Sequence, residues 1–207
     1  PMQGKFITID GSEGAGKTTQ IAHIRDYLQA QGKTLYTTRE PGGTAVGEKI
    51  RAIFLDPELH PTQLTELLLI FAARRQHLET EIFPRLARGE WVLSDRFNDA
   101  TYAYQGAGRS IDSALIRQLE QYIQGEFQPD LSLILMIEPD KAAERLAKRN
   151  QAPDRLEQEN RAFFQRIDAG YRQRAQTQSH VQLIDAGGSP EQVFARSSHL
   201  LQELCRS

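Results

Sequence analysis

The chain has one cysteine, Cys205, among its 207 residues, so no disulfide can form within it, and such a chain suits a reducing cytoplasm. It lacks any apolar run of the ~20 residues that a membrane span needs. Charge of one sign is not in excess: 25 Lys and Arg face 27 Asp and Glu, for a net charge of -2. Nothing in that balance calls for a nucleic acid or a membrane surface as partner, and any phosphate site must come from local clustering. His23, His60, His77, His180 and His199 are scattered without paired ligand spacing, so no structural zinc is expected. These absences lead us to expect a soluble cytoplasmic protein, folded as one domain over residues 1–207.

Short apolar runs recur between helical stretches, at Lys5–Asp10, Thr34–Arg39, Trp91–Asp95, Leu131–Ile137 and Val181–Asp185. Their apolar content is near-continuous, as in strands covered by helices on both faces. Ala45–Phe54 and Leu64–Ala87 carry helical periodicity between them. The pattern predicts an α/β fold with a five-stranded parallel sheet and helices on both faces. Gly32 and Gly89 each precede a strand, where glycine ends a helix at low steric cost. Ser189 and Pro190 read as the N-cap and first residue of a last helix, whose Val193, Phe194, Leu200, Leu201 and Leu204 lie along one side.

Gly11-Ser12-Glu13-Gly14-Ala15-Gly16-Lys17-Thr18 fits G-x-x-x-x-G-K-[ST] and directly follows a strand ending at Asp10. Glycines let successive backbone N–H groups turn into one concavity, and a helix starting near Lys17 adds the positive end of its dipole. Such a loop holds polyphosphate: Lys17 is placed to reach the β- and γ-phosphates of ATP, and the Thr18 hydroxyl to ligate Mg²⁺. Thr19 completes the nucleotide-binding stretch. A glycine turn ahead of a helix would not account for Lys and Thr at those places. The N/T-K-x-D element of a GTPase is absent, which disfavours a GTP switch.

Asp95 ends the apolar run Trp91–Asp95, where a carboxylate can organise Mg²⁺ or its waters as a Walker-B acid does. Arg96 follows at once. Arg39-Glu40-Pro41-Gly42-Gly43-Thr44 closes the second strand, and Pro41 with the glycine pair breaks regular structure where a βα loop faces ligand.

Gly11–Thr18, Arg39–Thr44, Asp95-Arg96-Phe97, Tyr104-Gln105-Gly106 and Asp154-Arg155 occur in an order and spacing that resembles the bacterial thymidylate kinases, over nearly the whole chain. The resemblance implies a P-loop kinase fold and transfer of the γ-phosphoryl of Mg-ATP directly, in line, to dTMP, giving dTDP for dTTP synthesis. It implies that Arg51 and Arg96 hold the acceptor phosphate, for which bidentate guanidinium groups are suited. Arg74, Thr101 and Gln105 match positions near the thymine, Glu40 and Pro41 a loop beside sugar and phosphate, and Asp10 and Tyr104 further acceptor-side positions. Where the family often stacks an aromatic ring on thymine, this chain has Ile70. Phe71 lies one helix step of about 100° away and would serve only with a rotation of the helix.

The basic segment around 141–157 resembles the family's lid and reads as helix–loop–helix. Lys141 and Lys148 read as solvated, while Arg149 and Arg155 match lid arginines that neutralise the transferring phosphoryl. Gly14 stands where one family type has a P-loop arginine, so this chain fits the type with a basic lid. Glu13 aligns with a P-loop acid near the acceptor or the lid, and Asp185–Ser189 with one wall of the adenine site. The resemblance also implies a homodimer, for which the apolar helix around Leu64–Leu78 can supply a face.

Overall fold

The computed structural model describes residues 3–207. Strand β1 (Phe6–Gly11) runs into the glycine loop and helix α1 (Lys17–Ala30); β2 (Leu35–Arg39) follows, then α2 (Ala45–Leu55) and α3 (Gln63–His77). A π-helical stretch, Leu78–Ile82, continues α3 into α4 (Phe83–Ala87), so the predicted helix over Leu64–Ala87 is one path with a widened turn ahead of Pro84. After β3 (Trp91–Asp95) come the short α5 (Asn98–Ala100), a second π-helical stretch, Thr101–Gly108, and α6 (Ser113–Gln124). Strand β4 (Leu131–Met136), α7 (Pro139–Ala147), α8 (Arg161–Thr177), β5 (Val181–Asp185) and α9 (Pro190–Arg206) complete the described chain.

The five strands are all parallel, in the order β2-β3-β1-β4-β5. β1 is buried along its whole length, which explains its unbroken apolar character. On one side of the sheet Ile7, Leu93, Leu133 and Ile24 share a core with Val193 and Leu201 of α9. On the other, Phe6 packs edge to face on Phe97 with ring centroids 4.9 Å apart. Ser189 caps α9 reciprocally with Gln192, as the Ser-Pro start predicts.

Register brings the carboxyl ends of four strands close to level. Arg39 pairs with Asp95, Asp95 with Ile9, and Gly11 with Leu135. The loops that leave these ends lie side by side in the crevice where chain direction diverges around β1, the place where open α/β sheets bind ligands.

Candidate active site

The glycine loop is shaped by what surrounds it. Gly14 has φ 81°, and a Cβ there would stand 2.6 Å from the Ala142 carbonyl oxygen, so α7 presses directly on the loop and only glycine fits. Gly16, at φ 88°, caps α1 without any side-chain hydrogen bond, and the first turn of α1 has no acidic residue. The free N–H groups of that turn, including those of Lys17, Thr18 and Thr19, are thus left for an anion. Lys17 Nζ lies 2.8 Å from Asp95 Oδ1. Thr18 and Asp95 line the same open cavity, an oxygen pair that suits a hard cation retaining most of its waters. Burial raises the pKa of Asp95, but Lys17, Arg96 and Arg51 outweigh it and hold the carboxyl below its usual range.

Arg96 joins this cradle to the acceptor side. Its φ is 72°, unusual for a residue with a side chain. Its guanidinium donates to Asp10 Oδ1 at 2.6 Å, to the Gly11 carbonyl at 3.0 Å and to Glu13 at 2.8 Å, and it lies 5.0 Å from the centre of the Tyr104 ring. Asp10 also accepts from Tyr171 at 2.5 Å. Burial pushes the Asp10 carboxyl up against the opposing pull of Arg96 and Lys17. Burial acts the same way on Glu13, but there Arg96, Lys17 and Arg149 prevail and its pKa is lowered.

Beyond Arg96 lies a narrow cavity of about 60 Å³. Arg51, Arg74, Thr101, Tyr104 and Gln105 line it together with Glu40, Pro41 and Ile70, and Asp154 and Leu156 of the loop after α7 form part of its wall. Arg51 donates to the Pro41 carbonyl at 3.1 Å. Arg74, only 2% exposed, donates from Nε to Glu40 at 2.6 Å and from Nη1 to Asn98 and Thr101. His77, fully buried, holds the other Glu40 oxygen at 2.7 Å. Burial alone would raise the pKa of Glu40, yet Arg74 and His77 hold it below the ordinary value. The widened turns of the π-helical stretch put Thr101, Tyr104 and Gln105 on one side, close-packed because Gly108 leaves room for Phe163.

Three expectations need correction. Phe71 does not line the cavity; it packs with Leu67 and Ile116 in a buried cluster, because α3 turns Ile70 inward and the next residue falls about 100° away. Arg155, expected over the ATP phosphates, is tied instead to Glu66 at 2.7 Å and to the Phe54 carbonyl at 2.9 Å, since the loop after α7 folds down onto α2 and α3. The lid's second helix begins only at Arg161, beyond the expected 141–157. Arg149 lies 4.0 Å from Glu13 on the glycine loop and 2.6 Å from Glu157. Sequence reasoning passed over Arg145, which donates to the carbonyls of Gly14 and Ala186 at 3.3 Å. It also passed over Tyr171 and Glu66. Arg145 lay in plain view within the basic lid segment; for the other two no local pattern marks the residue.

A phosphate loop at the end of β1, an acid at the end of β3 and an arginine-lined cavity across the same crevice define a phosphotransferase of the P-loop kinase class. The thymidylate kinase family model matches residues 9–196. The chain is 56% identical over 203 residues to a thymidylate kinase of Dichelobacter nodosus, covering 98% of this chain and all of that one. It is 49% identical to one from Ectopseudomonas mendocina, covering 98% and 97%. The crystal structure of thymidylate kinase from Ehrlichia chaffeensis superposes with a TM-score of 0.77 at 31% identity, covering 96% of this chain and 98% of that one. The chain belongs to the thymidylate kinase family.

Proposed function

We propose that the protein transfers the γ-phosphoryl of Mg-ATP to dTMP, yielding dTDP and ADP, as a step of dTTP synthesis. The observation that carries this reading is the placement of Arg96 between the glycine loop and a cavity whose far wall is polar, through Arg74, Thr101 and Gln105. That geometry suits two phosphates brought end to end, with a base read beyond them.

The acceptor needs no general base, because a phosphate monoester with a second pKa near 6 is largely ionised at neutral pH. The chain's task is then alignment and charge neutralisation. In this reading Lys17 and the N–H groups of α1 hold the donor phosphates, Arg51 and Arg96 hold the acceptor phosphate, and Arg149 covers the transferring group from the lid. Thr18 and Asp95 would hold Mg²⁺, which supplies screening of the phosphate oxygens when bound. Arg155 acts by seating the loop over the acceptor cavity, which excludes water that would otherwise take the phosphoryl group. ATP and dTMP are the proposed substrates, and Asp185–Ser189 the proposed adenine wall.

We read residues 1–207 as one domain whose lid runs from α7 to the start of α8, working in the cytoplasm as a homodimer. Val46 and Ile53 on α2 and Leu64 and Leu68 on α3 are all 45–51% exposed, and the two helices pack together. Such a paired apolar face suits an isologous interface. No helix of the described residues is long and apolar enough to cross a membrane.

The test is ADP release with Mg-ATP against dTMP, dUMP, dCMP, dGMP and AMP, with Lys17→Ala as blank. A clear dTMP preference that the blank lacks is expected. Strongest turnover with another monophosphate would contradict the base assignment, and ATP binding without acceptor-dependent turnover would contradict the kinase assignment.

A further inference from the structure

Glu66 sits in the first turn of α3, where an acid ordinarily balances the helix dipole in solvent. Here it is 1% exposed and serves three partners. Oε1 accepts from Gln105 Nε2 at 2.8 Å and from Arg109 Nε at 3.2 Å. Oε2 accepts from Arg109 Nη2 at 3.3 Å and faces Arg155 Nη1 at 2.7 Å. Arg109 is held in turn by Glu159 at 2.5 Å, and Arg155 by the Phe54 carbonyl. A carboxylate between two anchored arginines cannot swing away.

The consequence falls on Gln105. An ionised carboxylate only accepts hydrogen bonds, so the amide must turn its NH₂ toward Glu66 and its oxygen away. That Oε1 is buried with no hydrogen-bond partner among the described residues, and Gln105 lines the acceptor cavity. A buried, unsatisfied acceptor favours a ligand that offers a donor there and penalises one that offers a lone pair. The ring N3–H of thymine is such a donor, whereas N3 of cytosine carries a lone pair.

We propose that Glu66 is a positioning residue for base selectivity: it locks the Gln105 amide with its oxygen toward the cavity, so that a pyrimidine with a protonated N3 is accepted and a cytosine is refused. This deepens the thymidylate reading and rests on it. Because the same carboxylate seats Arg155, base reading and the resting place of the lid loop share one anion.

The experiment measures kcat and KM for dTMP, dCMP and ATP on the full chain, for wild type, Glu66→Gln, Gln105→Ala and the double variant. A glutamine at 66 both donates and accepts, so it leaves the Gln105 amide free to flip. The expected result for Glu66→Gln is a fall of about tenfold or more in the dTMP to dCMP ratio of kcat/KM, carried by KM for dTMP, with KM for ATP little changed. In the Gln105→Ala background the same substitution should leave that ratio unmoved. Equal losses on both monophosphates, or an undiminished ratio change without Gln105, would overturn the positioning role while the thymidylate reading stood. A wild type that prefers dCMP would overturn both. Should Glu66→Gln not fold, Gln105→Ala alone decides, since it leaves both arginines their carboxylate: an unchanged ratio there refutes the proposal.

Discussion

Glu40→Gln probes a deeply buried charge in the acceptor site. Glu40 and Arg74 are each 2% exposed at the side chain and 2.6 Å apart, with His77 on the second oxygen. Removing one partner of a buried pair leaves the other uncompensated and costs about 3–5 kcal/mol. Glutamine keeps the volume and one acceptor, so the low end applies, and a domain of this length loses roughly 2–4 °C of Tm per kcal/mol. The expected Tm loss is therefore roughly 6–12 °C. Since Arg74 also lines the acceptor cavity, KM for dTMP should rise more than KM for ATP. Calorimetry and steady-state kinetics on one preparation give both quantities. A Tm within about 2 °C of wild type, or an equal rise of both KM values, would refute the view that this pair is buried, stabilising and specific to the acceptor side.

Other consequences are as direct. Gly14→Ala should weaken ATP binding about tenfold or more, because φ is 81° and the new methyl would meet the Ala142 carbonyl; fluorescent ATP-analogue titration measures it, and unchanged affinity would remove α7 from the cradle. Acid should destabilise the protein. Glu13, Glu40 and Asp95 have pKa values below their ordinary ones, so their contribution is complete above the unfolded values of about 4 and is lost as pH falls through the lower folded values. Asp10, raised by burial, works the other way, and its cost is relieved on acidification. Glu48 and Glu90 are lowered as well and Glu157 is raised, so five carboxyls against two predict a urea midpoint that falls below about pH 4.5; a midpoint rising toward pH 4 would reverse the sign. Leu68→Glu, placed on the exposed apolar face of α2 and α3, should yield a monomer by sedimentation, and an undisturbed dimer would put the interface elsewhere.

What was legible in the sequence divides along physical lines. β3 and β5 begin and end where the apolar runs do, β2 and β4 differ by one residue at one end, and β1 by one residue at each end, because a strand buried between helices announces itself in composition. The glycine loop was legible because its backbone conformation restricts residue choice so sharply. The acceptor side was legible only as a set of residues. Which of Ile70 and Phe71 faces the cavity turns on one helix step, which periodicity cannot resolve. The π-helical stretch 101–108 has no signal of its own, yet it decides how Thr101 and Gln105 present themselves. Arg155 and Glu66 are far apart in the chain and read separately as a lid charge and a first-turn acid. Their pairing depends on how a loop folds back, and only tertiary structure reveals it.

The most direct test of the central claim follows the phosphoryl group itself. With ATP labelled in the γ-phosphate, unlabelled dTMP and Mg²⁺, the account predicts label in the β-phosphate of dTDP, matched mole for mole by ADP and absent with Lys17→Ala. Label released as inorganic phosphate while dTMP remains unchanged would contradict it.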